Sequence, residues 1–294
     1  MIASTDTDAP VGYYGKPIVR AHVWKDYIGW YFFTGGLAGA SSVIAAVAQL
    51  SGRPSLARHA RRASLIGLLP SPVLLIADLG RPKRFIYMLR VLKPTSPMSV
   101  GSWLLTLYAT AAGGAAGLAE FDTMPRMQRA LTLAAGLTGP AVATYTGVLV
   151  ADTATPAWHE ARHELPLLFA SSAGASAGAV TAMVSAMTGP ADRAAARVGI
   201  VGAIAEVGVA AVMKHRLGTL DTYSTDRAAK RFDRAARALS LGGAAIMLAG
   251  RRHRVVSLFA GAGIAAGSIC ERLAVLRAGT ASASDPGSVL QTAR

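Results

Sequence analysis

Eight long apolar runs constrain this chain more than any other feature. They cover roughly 26–50, 58–78, 98–121, 128–151, 165–188, 195–217, 235–250 and 254–276. A helix needs about 20 mostly apolar residues to cross the hydrocarbon core of a bilayer. The seventh run is short, but its neighbour across a three-arginine turn makes it credible as a span. Charged residues make up 16% of the chain, against about 25% in a soluble domain, and the mean hydropathy of +0.38 agrees. The expected fold is all-α, a polytopic membrane bundle of about eight transmembrane helices.

The runs form one transmembrane domain, 26–277. Residues 1–25 read as an N-terminal interfacial segment. They hold Lys16, Arg20 and Lys25 and no apolar core, so they do not read as a cleavable signal peptide. Residues 278–294, AGTASASDPGSVLQTAR, read as a flexible tail. The net charge of +14 raises nucleic acid as a partner. The basic residues sit between spans, however, and no nucleic-acid motif is present, so membrane topology and lipid headgroups explain them better. The stretch DRAAKRFDRAAR, 226–237, reads as a basic amphipathic helix at the interface. Nineteen of the 30 Lys and Arg residues fall on the N-terminal side of the bundle and eleven on the other. That bias places both termini in the cytoplasm.

Small residues four apart (Gly35 and Gly39, Gly113 and Gly117, Gly174 and Gly178, Gly263 and Gly267) let helices approach closely. The single cysteine, Cys270, can form no internal disulfide and cannot hold an iron–sulfur cluster alone. The six histidines, His22, His59, His159, His163, His215 and His253, all lie at span ends or in loops. Haem ligation inside a bundle needs facing mid-span histidines, so haem is not expected. His159 and His163, with Glu160 and Glu164, share a helical face but read as a surface cluster rather than a metal site. Glu206 is the one acid read as mid-span. Ionisable groups at that depth are functional by default, so Glu206 is either a hydrogen-bonded packing acid or a station for protons.

Residues 68–103, LLPSPVLLIADLGRPKRFIYMLRVLKPTSPMSVGSW, place an acid and a cluster of bases at the lip of an oily segment. Asp78 ends the second span. Leu79 and Gly80 turn the chain, and Pro82 suits the first position of a short interfacial helix over 82–92. Asp78 and Arg81 are placed to pair across that turn. Such a lip suits a lipophilic molecule with a polar head.

Three stretches now carry a resemblance. YYGKPIVRAHVWKDYIGWYFFTGGLAG (13–39), DLGRPKRFIYMLRVLKPTSPMSVGSW (78–103) and YTGVLVADTATPAWHEARHELPLLFASSAGASAG (145–178) resemble the signature regions of the NrfD/polysulfide reductase membrane-subunit family. The resemblance implies a haem-free respiratory subunit without iron–sulfur clusters of its own. It implies a ferredoxin-like four-cluster iron–sulfur partner, a molybdenum or tungsten catalytic subunit, and exchange of electrons with quinone (menaquinone or ubiquinone), with proton translocation open. It assigns Tyr145 of the YTG string to a quinone carbonyl. Counting spans brings Tyr145, Asp152, Trp158, His22, Trp24, Asp78 and Arg81 to one face. Of these, Tyr145, His22, Trp24, Asp78, Arg81 and Trp158 are expected around the quinone, and Glu206, Asp152 and Asp78 along a proton path. The rival readings are a purely structural anchor and a secondary transporter. Transporters show internal repeats and several midplane charges, and neither is visible in the sequence.

Overall fold

The computed structural model describes residues 24, 26–79, 82–250 and 253–284, and its regular elements are all helical. They are α1 (Asp26–Leu50), α2 (Pro54–Leu68), α3 (Pro70–Leu79), α4 (Pro82–Met88), α5 (Pro97–Glu120), α6 (Pro125–Ala151), α7 (Pro156–Glu160), α8 (Glu164–Thr188), α9 (Arg193–Leu217), α10 (Thr222–Thr225), α11 (Arg227–Ala249) and α12 (Arg254–Ser284). Six of these helices begin at proline, at Pro54, Pro70, Pro82, Pro97, Pro125 and Pro156. Proline is tolerated there because the first turn has no partner for its N–H in any case. Asp192 and Asp226 begin α9 and α11 by accepting from the backbone N–H groups of Ala194, Ala195 and Ala229.

Helices α2 and α3 make one passage, divided where Pro70 and Pro72 remove two backbone donors. With α1, α6, α8, α9 and α12 it gives six passages long and apolar enough to cross a membrane. Helices α5 and α11 fill the other two of the eight expected runs and are of similar length, but among the described residues they are not apolar enough to count with the six. The eight form two adjoining groups: α1, α2–α3, α5 and α6, then α8, α9, α11 and α12. Helices α1 and α8 pack along the seam. The closest approaches are at glycine. Gly39 of α1 lies against the backbone of Gly139 in α6, and Gly178 of α8 against Gly199 in α9, with no space for a Cβ. Gly35, Gly113, Gly117 and Gly174 face no atom within 4 Å, so only part of the small-residue pattern is helix packing.

Three sequence expectations need correction. Helix α12 runs to Ser284, into the stretch read as a flexible tail, with Ala278, Gly279, Ser282 and Ala283 buried. The small residues that made this segment look unstructured are what let it lie against α7. Ser282 accepts from the Ala157 N–H at 3.3 Å, and Thr222 donates to the Ala278 carbonyl at 2.7 Å. The rest of the expected tail, like the 1–23 segment, lies outside the described residues. Next, the amphipathic stretch 226–237 is no separate interfacial helix. It is the first half of α11, and it buries Ala229, Asp233 and Ala236 at helical spacing. Finally, Glu206 is not the one acid inside. Glu271 and Arg272 lie near the expected end of the last run at 276, and with α12 continuing to Ser284 both are buried in the bundle. Arg272 is therefore not one of the surface charges of the N-terminal side.

Candidate functional site

The 78–103 stretch is held by short polar contacts. Arg84 donates to the Leu79 carbonyl at 3.1 Å and closes the end of α3. Ser96 caps α5 and Pro97 follows as its first residue. The Ser99 hydroxyl accepts from the Lys93 N–H at 3.0 Å and donates to the Val91 carbonyl at 3.2 Å, fastening the 91–93 loop to the helix. One helical turn from the α5 start, Gly101 meets the ring of Tyr145 on α6, where a Cβ would overlap the ring carbons. On the other side of α6, Gly147 lets the helix approach the backbone of Leu165 and Pro166, where α8 begins.

Between these elements and the start of α1 lies a cleft of about 120 Å³. Trp24, Tyr31, Asp78, Met88, Met98 and Tyr145 are the side chains that shape it, over an apolar floor of Ile28, Leu75, Leu79 and Leu149. The Tyr31 and Tyr145 hydroxyls are hydrogen-bonded to each other. Tyr31 is buried, whereas Tyr145 is only partly so. Three of the residues expected here, Tyr145, Trp24 and Asp78, therefore meet in one cleft.

The others are placed differently. Trp158 stands behind the cleft. It stacks on Trp24 with ring centroids 5.5 Å apart, and its indole N–H donates to the Val275 carbonyl at 2.8 Å. It thus fixes the wall residue Trp24, which also meets Phe32 edge-on. Asp152 caps the end of α6, exposed and away from the lining. His22 and Arg81 lie outside the described residues. Sequence reasoning missed Tyr31. Its signal was present: a tyrosine more than one turn inside the first span, within WYFF, is too deep for an interfacial belt residue.

A second polar group sits between α8, α9, α11 and α12. Glu206 Oε2 accepts from the Ser240 and Ser268 hydroxyls, each at 3.2 Å. The Arg272 guanidinium lies 3.7 Å from the centre of the Phe169 ring and donates to the Phe169 carbonyl at 2.8 Å. Glu271 is buried beside it, and Lys214 and Arg237 both pair with Asp233. Glu164, by contrast, pairs with Arg216, and among the described residues no three His, Cys, Asp or Glu side chains gather as a metal set.

No curated protein matches the chain. Residues 18–282 match the family described as polysulphide reductase, NrfD. With a match over that much of its length, the chain belongs to the NrfD family, as a multi-pass membrane subunit of a respiratory oxidoreductase complex.

Proposed function

We propose that the cleft at the start of α1 binds a quinone headgroup, and that this subunit exchanges electrons between quinone and a four-cluster iron–sulfur partner docked on the same face. The observation that carries this reading is the Tyr31–Tyr145 hydroxyl pair in the wall of a mainly apolar cleft, with Asp78 and Ser102 its other polar lining residues. If the buried Tyr31 donates to Tyr145, the Tyr145 proton is left to point at a ligand carbonyl. Trp24 offers a flat aromatic face, and Met88 and Met98 are adaptable walls. The cleft is smaller than the roughly 300–1,000 Å³ of ordinary ligand sites, which suits a headgroup whose tail stays among lipid. A bound quinone supplies two-electron, two-proton chemistry. Around it, Tyr145 orients, Trp24 stacks, and Asp78 at the rim exchanges protons with the aqueous face. The molybdenum or tungsten centre belongs to another subunit.

In this reading Glu206, with Ser240, Ser268 and Arg272, offers a proton station in the second helix group. The charge bias supports a cytoplasmic position for the motif face. A cysteine introduced at position 90 should therefore label only in permeabilised cells, and labelling in intact cells would reverse the orientation.

Tyr145→Phe removes one hydrogen bond to the ligand, a loss of roughly 0.5–1.5 kcal/mol, or about two- to tenfold in affinity. With a short-chain quinone, the assembled complex should show that rise in KM. Glu206→Gln should leave quinone affinity intact and reduce proton translocation measured in vesicles. Wild-type quinone kinetics in Tyr145→Phe sinks the headgroup assignment and leaves a structural anchor. Unchanged translocation in Glu206→Gln reduces that residue to packing.

A further inference from the structure

The basic turn at the far end of the bundle takes no part in the cleft. There, where α1 ends and α2 and α6 begin, a pocket of about 540 Å³ is lined by Arg53, Arg61, Arg129, Gln49, Gln128 and other residues, none of them acidic. The neighbouring acids are already engaged. Asp192 takes Arg53 at 2.9 Å, and Glu120 takes Arg62 through both oxygens, at 2.7 and 2.9 Å. Arg61 is left over: its Nε is buried and has no hydrogen-bond partner among the described residues. A buried N–H without a partner is costly unless a ligand accepts from it. Helices α2 and α6 both start at this end, and neither has a side-chain cap. The positive dipole ends of these helices add to the attraction for an anion.

Arg53 also stands at the mouth of a second space, an apolar groove of about 460 Å³ between α1, α6, α8 and α9. Small side chains, among them Ala40, Ala143 and Ala170, leave it open. A Cβ on Gly174 in its wall would meet nothing within 4 Å. Thr144 turns its hydroxyl back to the Pro140 carbonyl at 2.8 Å, so that wall stays apolar. An anion pocket therefore opens beside an oily groove, with one arginine shared between them.

We infer that this end of the bundle holds one anionic diacyl phospholipid, its phosphate among Arg53, Arg61 and Arg129 and one acyl chain in the groove between α1, α6, α8 and α9. Charge chooses this occupant. A zwitterionic lipid would bring its own cation beside Arg61 and Arg129, for which the pocket holds no carboxylate, and free phosphate would leave the groove to bulk lipid. The site is separate from the Trp24–Tyr145 cleft, at the opposite end of α1, so it stands whether or not that cleft binds quinone.

The test titrates the full-length protein, purified in mild detergent with its companion subunits, and counts adducts by native mass spectrometry. The probes are phosphatidylglycerol, phosphatidylcholine and inorganic phosphate. One saturable phosphatidylglycerol adduct is expected, held at least about tenfold more tightly than phosphatidylcholine, the ratio that follows from one charge-assisted contact. Inorganic phosphate at equal concentration should not displace it. The Arg61→Gln/Arg129→Gln double variant should lose the preference, and Arg231→Gln, at the other end of the bundle, should keep it. Gly174→Leu fills the groove with every arginine in place and should weaken the lipid adduct alone. Equal retention of the two lipids, an unchanged preference in the double variant, or a phosphate adduct that lipid cannot displace would overturn the assignment.

Discussion

Gly101→Val should lower quinone-linked turnover by about a hundredfold while the complex still assembles. Gly101 sits on α5 with its Cα against the Tyr145 ring, and any Cβ there overlaps ring carbons. Helix backbone on both sides is fixed by packing, so the ring must move. Its hydroxyl then leaves Tyr31 and the position from which it would meet a quinone carbonyl. A displacement of about 1 Å at a reacting group can cost on the order of a hundredfold, more than deleting the hydroxyl alone. The control lies on the same helix. Gly117 faces no atom within 4 Å, so Gly117→Val should leave turnover near the wild-type rate. Turnover is read with a short-chain quinone, in parallel with a soluble dye that takes electrons from the catalytic subunit directly. A loss confined to the quinone assay is the expected outcome. Wild-type quinone turnover in Gly101→Val would remove Tyr145 from the site.

The first half of the molecule was readable for a physical reason. Its site is built from local sequence events: a proline at the first helical turn, a serine cap, an acid at a span end. The residues that do this lie within the 78–103 stretch, so Asp78, Ser96 and Pro97 carry their geometry in their own spacing. Tyr145, Trp24 and Asp78 could be brought together by counting spans, because Trp24 precedes α1 while Asp78 and Tyr145 lie toward the ends of α3 and α6, on the same face of the bundle. Tyr31 escaped because an aromatic residue inside an apolar run looks the same whether it packs or bonds. The second half was less readable. The end of α12 is made of Ala, Gly, Ser and Thr, which have no strong apolar signal and look like a tail. Their burial comes from α7, α10 and Trp158, partners distant in sequence. Glu271 and Arg272 lie close to the expected end of the last run at 276, and the continuation of α12 to Ser284 sets both inside the bundle. The same holds for Asp233. It lies between Phe232 and Arg234 in a strongly basic stretch, and its burial and its contact with Lys214 on α9 show that it faces inward.

That inward charge leads to the largest expected change in stability. Asp233 is buried on the face of α11 that also buries Ala229, Ala236 and Ser240. It pairs with Lys214, whose side chain is 13% exposed, and with Arg237, which is 46% exposed. Asp233→Ala leaves the Lys214 ammonium inside the bundle without its carboxylate. Removing one partner of a buried pair costs about 3–5 kcal/mol, because the remaining charge stays desolvated. Arg237→Ala removes a half-exposed partner four residues along the same helix and should cost about 1 kcal/mol or less. Unfolding of the purified protein in detergent, followed by loss of helical signal with rising denaturant, separates the two. A double change tests the cause. Replacing a buried pair with apolar residues of similar size is often neutral, so Asp233→Leu with Lys214→Met should regain most of the stability that Asp233→Leu alone loses. If the destabilisation came from a gap in packing, adding Lys214→Met would restore nothing. A double variant no better than Asp233→Leu would mean that α11 is held by its small-residue face rather than by the charge beneath it.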